Sequence, residues 1–110
     1  MLEIQLNMNS PVEDVLAFKT CCGLQMFDAN LEILITNRGK KPALLTGWFD
    51  LEGDGESRRI SAVMPPGEQR IKPGEIKAFY CQMDEKLWQK SLRLVVQDDM
   101  GNRYAAQIRH

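Results

Sequence analysis

The dipeptide Asp54-Gly55 stands between two runs of β-forming residues, 44 to 52 and 56 to 64, and this arrangement constrains the chain more than any other. Asp-Gly is favoured in the two-residue type I′ turn because both central positions there need positive φ. A turn of that length fixes the hairpin register. Phe49 then faces Ile60, Gly47 faces Ala62 and Leu45 faces Met64, which makes one face apolar. On the other face Asp50 falls opposite Arg59 and Trp48 opposite Ser61. Turn chemistry and charge pattern agree without depending on each other.

The same period of two recurs along the chain. Leu2, Ile4, Leu6 and Met8 alternate with Glu3, Gln5 and Asn7, and Leu31, Ile33 and Ile35 form a second strand ended by the turn Asn37-Arg38-Gly39. The turn signals Pro65-Pro66-Gly67 and Lys72-Pro73-Gly74-Glu75 precede a strand over 76 to 83, whose core face the pattern leaves open. Leu92, Leu94 and Val96 match Tyr104, Ala106 and Ile108 as a terminal hairpin, with Asp99-Met100-Gly101 as its loop and Gly101 in the left-handed position. Two short helical segments are expected. Ser10-Pro11-Val12-Glu13 reads as a capping box opening a helix that turns Val12, Val15 and Leu16 to the core and stops at Gly23. Asp84 to Lys90 reads as a turn of helix carrying Leu87 and Trp88. About six to seven short strands without βαβ alternation predict a mainly β chain folded as an antiparallel sandwich. At 110 residues the chain can bury roughly two thirds of its unfolded surface, so residues 1–110 are expected to form a single domain.

Three stretches also resemble a known group. Leu31 to Gly39 followed by Pro42, the turn Pro73-Gly74-Glu75, and Val95 to Tyr104 with Asp98 and Gly101 look like bacterial immunoglobulin-like accessory domains, over roughly residues 31 to 108. The resemblance implies an immunoglobulin-like β-sandwich and a role without catalysis, since many members of that group have no assigned biochemical activity. No cysteine stands two residues after Tyr104, so the resemblance does not bring the antibody-type disulfide with it.

Composition excludes several functions. With 14 basic and 15 acidic side chains the net charge is -1, which offers no long-range attraction to nucleic acid or anionic lipid. Arg38, Lys40 and Lys41 gather at one turn and read as a solvated loop. No apolar run approaches the roughly 20 residues a membrane-spanning helix needs, and Glu3 and Gln5 interrupt what a secretion signal would require, so a cytoplasmic chain is expected. The three cysteines, Cys21, Cys22 and Cys81, are then expected as free thiols, a bridge from Cys21 or Cys22 to Cys81 being the alternative. His110 is the only histidine and the last residue, a poor position for a general base. Asp50, Glu52 and Asp54 followed by Gly55 have the opening spacing of a calcium loop, but its twelfth position is Ser61 and strands flank it. The expectation is therefore no enzyme, no cofactor and no metal.

Two features remain as candidate binding surface. Trp48 lies in polar company on the face away from Leu45, Phe49 and Leu51, where it either anchors a partner or is covered by another element. In the terminal hairpin the outward residues Arg93, Val95, Arg103 and Ala105, with Gln97, Gln107 and Arg109, form a basic face without acids. As a late strand at a sheet edge, this hairpin would either invite strand addition or simply be solvated. The expected function is a non-catalytic binding or assembly module that contacts another protein or a second copy. The alternative is a small-ligand or carbohydrate-binding module using Trp48 and the acidic hairpin.

Overall fold

The computed structural model describes residues 1–8, 15–20 and 23–109. In chain order its first strands are β1 (Leu2–Met8), β2 (Val15–Thr20), β3 (Gly23–Asp28), β4 (Leu31–Asn37), β5 (Ala43–Gly53) and β6 (Ser57–Ile60). There follow β7 (Val63–Met64), β8 (Gln69–Ile71), β9 (Ile76–Cys81), the short helix α1 (Glu85–Lys90), β10 (Ser91–Asp98) and β11 (Arg103–Gln107). All strand pairings are antiparallel, and the chain is mainly β as expected.

One sheet has the order β1-β4-β9-β7 and the other β11-β10-β5-β6, with β8 also paired to β5. They enclose a common core. Leu31, Ile33, Ile35, Phe79 and Cys81 enter it from the first sheet, and Leu45, Phe49, Leu51, Leu94 and Val96 from the second. The alternation in β4 is strict: Leu31, Ile33 and Ile35 are at most 1% exposed, while the intervening Glu32, Leu34 and Thr36 are half-buried. On β9 it is Phe79 and Cys81 that are buried, which settles the face left open by the sequence. Beyond β4, the buried Asn37 amide donates to the carbonyls of Lys41 at 2.8 Å and Ile71 at 2.9 Å and accepts from Gly39 N–H, which closes the expected turn. Helix α1 is capped by Asp84, whose carboxylate accepts from Leu87 N–H at 2.9 Å, and it buries Trp88.

Both hairpin registers follow the turn chemistry. Phe49 pairs with Ile60 and Asp50 with Arg59, and Gly53 N–H donates to Glu56 C=O at 2.8 Å beneath a left-handed Gly55. Leu94 pairs with Ala106 and Val96 with Tyr104, and Gly101 has φ 86°.

Three expectations are corrected. The helix read after Ser10 is not formed over 15–20: Val15–Thr20 is β2, paired with β3, which begins at Gly23. A six-residue antiparallel pairing competes well with a helix of about three turns, a length at which costly nucleation leaves a helix marginal by itself. The capping-box residues, Cys21 and Cys22 lie outside the described residues. Second, the middle hairpin ends at Ile60. Ser61 and Ala62 carry the chain to the other sheet, where Val63 pairs with Cys81 and Met64 with Tyr80, while Leu45 pairs with Gln69 and Asp98. The pairings of Leu45 with Met64, Gly47 with Ala62 and Trp48 with Ser61 are therefore not made. Pro65 and Pro66 lack the N–H that a continued inner ladder would need, and Val63 and Met64 are buried by joining β9 instead. Third, the ladder between β10 and β5 shifts between Ser91 and Arg93, and Leu92 is 46% exposed instead of facing the core. No helix among the described residues is long and apolar enough to cross a membrane.

Candidate functional site

The five residues singled out from the sequence, Trp48, Arg93, Val95, Arg103 and Ala105, lie in the same sheet on β5, β10 and β11. Register brings their rows together. Arg93 sits between Gln107 on β11 and Glu52 on β5, and Val95 sits between Ala105 and Asp50. Asp50 in turn faces Arg59 on β6. Because side chains alternate across a strand, the neighbours of these residues, Leu94, Val96, Phe49 and Leu51, fill the core, and the candidate residues form the outer face.

This face carries acids, which overturns the expectation of a basic surface without them. Glu52 receives Arg93 Nε at 2.8 Å on one oxygen and Arg103 Nη2 at 2.7 Å on the other. Asp50 receives Arg59 Nε at 3.1 Å, and Arg103 Nη2 stands 3.7 Å from its second oxygen. The local turn signal joins β10 only to β11, whereas its other neighbour is the acid-bearing β5. Hydrogen bonds from Arg93 and Arg103 lower the pKa of Glu52, which keeps it ionised.

Arg103, on β11, reaches Glu52 and Asp50 on β5 across the intervening β10. Val95, on β10, is only 5% exposed although it lies outside the core cluster, so it is not the open patch that the sequence suggested. Ala105, on the edge strand, is exposed.

Trp48 belongs to an irregularity of β5. Phe49 pairs with Val96 and Leu45 with Asp98, so Thr46, Gly47 and Trp48 together stand opposite Gln97. The Thr46 hydroxyl donates to Gln97 C=O at 3.2 Å. A Cβ on Gly47 would lie 3.1 Å from Gly67 Cα, so glycine lets the loop after β7 close on β5 here. The half-buried indole of Trp48 is covered by Arg59, whose Cζ lies 4.5 Å from the ring centroid, and its Nε1 is buried without a hydrogen-bond partner. Among the described residues, the group lying over the Trp48 ring is thus an arginine of the neighbouring strand.

Chemically the face offers fixed guanidinium groups. Arg59, Arg93 and Arg103 remain 58%, 40% and 50% exposed, so each can still donate outward. Asp50 and Glu52 are engaged by those arginines rather than held free as bases. Among the described residues no three His, Cys, Asp or Glu side chains group to hold a metal ion. Compared with known protein families, curated proteins and solved structures, the chain matches none of them.

Proposed function

We propose that this chain is a non-catalytic binding or assembly module that contacts another protein through the outer face of the β11-β10-β5-β6 sheet. The observation carrying this reading is the ion-paired arginine array: Glu52 and Asp50 hold Arg93, Arg103 and Arg59 in place beside the exposed Ala105. Arginines held in advance lose little conformational freedom on meeting a partner's carboxylates. The small Ala105 leaves room for a close approach. With two acids against three arginines, the face lacks the basic excess that nucleic acid would require. A carbohydrate platform fits less well, because the Trp48 ring is already occupied by Arg59.

In the same reading the fold is an immunoglobulin-like sandwich. The order β1-β4-β9-β7 opposite β11-β10-β5 corresponds to the ABED and GFC sheets of such domains, with the β2-β3 hairpin inserted between the first two strands. A reducing, cytoplasmic setting accords with the free, buried thiol of Cys81.

The test is the double variant Arg93→Ala, Arg103→Ala, compared with the wild type for capture of a protein from source-cell extract, identified by mass spectrometry. The variant keeps its circular dichroism spectrum and loses the captured protein. Equal capture by both proteins, with the fold intact, overturns the assignment of this face.

A further inference from the structure

We propose that the free edge of β11 pairs with the same strand of a second copy, antiparallel, about a two-fold axis at Ala105. This rests on the reading of the chain as an assembly module and names its partner. Asp98 N–H donates to Asn102 C=O at 3.0 Å and Ile108 N–H to Leu92 C=O at 2.9 Å. In an antiparallel ladder such bonds recur at every second residue, so Asn102, Tyr104, Ala106 and Ile108 spend their backbone groups on β10. Those of Arg103, Ala105 and Gln107 point away from the sheet. Among the described residues β11 pairs with β10 alone and ends its sheet.

Natural edges are usually blunted by charge, proline, bulges or shortness. The register of β11 with β10 runs unbroken from Arg103 to Gln107, without proline, glycine or lysine, and its single charge is tied to Glu52 at 2.7 Å. The opposite edge of the sheet differs. Strand β6 has four residues with Arg58 and Arg59 at its centre, and a two-fold pairing there would set arginine against arginine. Strand β7 has only two residues.

A second copy fits the β11 edge in one register. With Ala105 facing Ala105 of the second copy, Arg103 faces Gln107 and every outward N–H and C=O of the three residues meets a complement. No like charges are opposed, and Arg109 comes alongside the turn bearing Asp99 of the second copy. Beside this edge lies a groove of about 450 Å³ of mixed polar and apolar lining, with Ile4, Gln5 and Leu6 of β1 on one side and Gln107, Ile108 and Arg109 on the other, which the same docking covers. A five-residue strand contact is smaller than the roughly 1,600 Å² of a standard interface, so the dimer is weak and forms with rising concentration.

The experiment is sedimentation equilibrium over a wide concentration range, on the wild type and three variants. In Ala105→Lys, lysines oppose each other at the axis through side chains that are exposed in the monomer. In Ala105→Pro, the lost N–H is one that points outward, so the ladder with β10 keeps its bonds. Each should weaken the dimer about tenfold or more while the circular dichroism spectrum is kept. Ala105→Cys, in a Cys21→Ser, Cys22→Ser background, should form a covalent dimer on oxidation, because facing Cα atoms in a hydrogen-bonded pair lie about 5.5 Å apart. Gln107→Cys in the same background should not, since it faces Arg103. A wild type that stays monomeric, a dimer indifferent to both Ala105→Lys and Ala105→Pro, or equal cross-linking through Gln107→Cys overturns the proposal. If the protein is monomeric but the Arg93→Ala, Arg103→Ala variant still loses a captured protein, the second copy is the wrong partner and the module reading stands. If capture is also unaffected, both fall.

Discussion

Arg59 serves Trp48 and Asp50 at once: its Cζ lies 4.5 Å from the Trp48 ring centroid while its Nε is 3.1 Å from Asp50 Oδ1. Cross-strand register makes this possible, since Arg59 directly faces Asp50 and Trp48 lies two residues back along β5. Arg59→Ala should cost about 0.5–1.5 kcal/mol, the sum of an exposed cation–π contact and a surface ion pair. It should also open Trp48 to acrylamide quenching, while Trp88, at 6% exposure, stays shielded. Quenching identical to wild type would mean that Arg59 does not cover the ring.

The last hairpin turn depends on one buried carboxylate. Asp98 is 7% exposed and accepts from Met100 N–H at 3.0 Å, Asn102 N–H at 2.8 Å, Asn102 Nδ2 at 3.0 Å and Tyr104 OH at 3.3 Å. Asp98→Ala leaves these donors unanswered and should cost roughly 2–3 kcal/mol in urea unfolding.

Acid sensitivity follows from the same group. Burial alone raises the Asp98 pKa, but the bonds from Asn102, Met100 and Tyr104 together hold it below its ordinary value. A carboxylate depressed in the folded state stabilises above its unfolded pKa, and that stability is lost as pH falls through the folded one. Glu52 is lowered likewise. Stability should therefore decline below about pH 4, and less steeply in Asp98→Asn than in the wild type. Parallel pH profiles for the two proteins would remove Asp98 as a source of the effect.

At the alkaline end the buried Cys81 acts in the other direction. Burial pushes its pKa from 9.0 to about 12, so the unfolded chain loses this proton first. Stability is then complete below pH 9 and falls by about 1.4 kcal/mol per pH unit as pH rises toward 12. Tyr80 and Tyr104, also raised by burial, add to this only above their ordinary value of 10.0, so the interval from 9 to 10 isolates the thiol. Chemical unfolding of Cys81→Ala across that interval should show a flatter profile, and native Cys81 should react with thiol reagents only as fast as the protein unfolds.

Two glycines near the middle turn are needed for different reasons. A Cβ on Gly53 would stand 2.7 Å from the backbone oxygen of Lys90, whereas one on Gly55 would meet nothing within 4 Å but occupies φ +76°. Gly53→Ala should cost roughly 1–3 kcal/mol through displacement of the α1–β10 junction, and Gly55→Ala about 1 kcal/mol through backbone strain. Gly55→Asn should recover part of the loss, because asparagine tolerates the left-handed region, while Gly53→Asn should not. Thermal unfolding of the four variants checks this.

What could be read from the sequence was local. Asp54-Gly55 and Asp99-Met100-Gly101 each set a register between adjacent segments, and β4 betrayed itself by the alternation of Leu31, Ile33 and Ile35. Pairings between distant segments were not legible, because no local signal says that Arg93 will stand beside Glu52, forty-one positions away. That one adjacency decides whether the outer face is a bare basic patch or a salt-bridged array. Ala105 is exposed on the edge strand, as its outward position in the hairpin predicts, whereas Val95, flanked by β5 and β11, is buried. Val15–Thr20 is illegible for another reason: a capping box marks a helix start locally, whereas a strand there depends on its pairing with a second segment, Gly23–Asp28.

Only Ser61 and Ala62 separate Ile60 in one sheet from Val63 in the other, whereas at the opposite side β1 and β11 share no backbone bond among the described residues. Resistance to separation is therefore asymmetric. Thermal fluctuation or pulling force parts the layers first along β1 and β11, because a two-residue covalent span restrains the other margin at any amplitude. In native-state hydrogen exchange of the monomer, amides of β1 and β11 should acquire deuterium through a low-energy partial opening, while those of β5 and β9 await global unfolding.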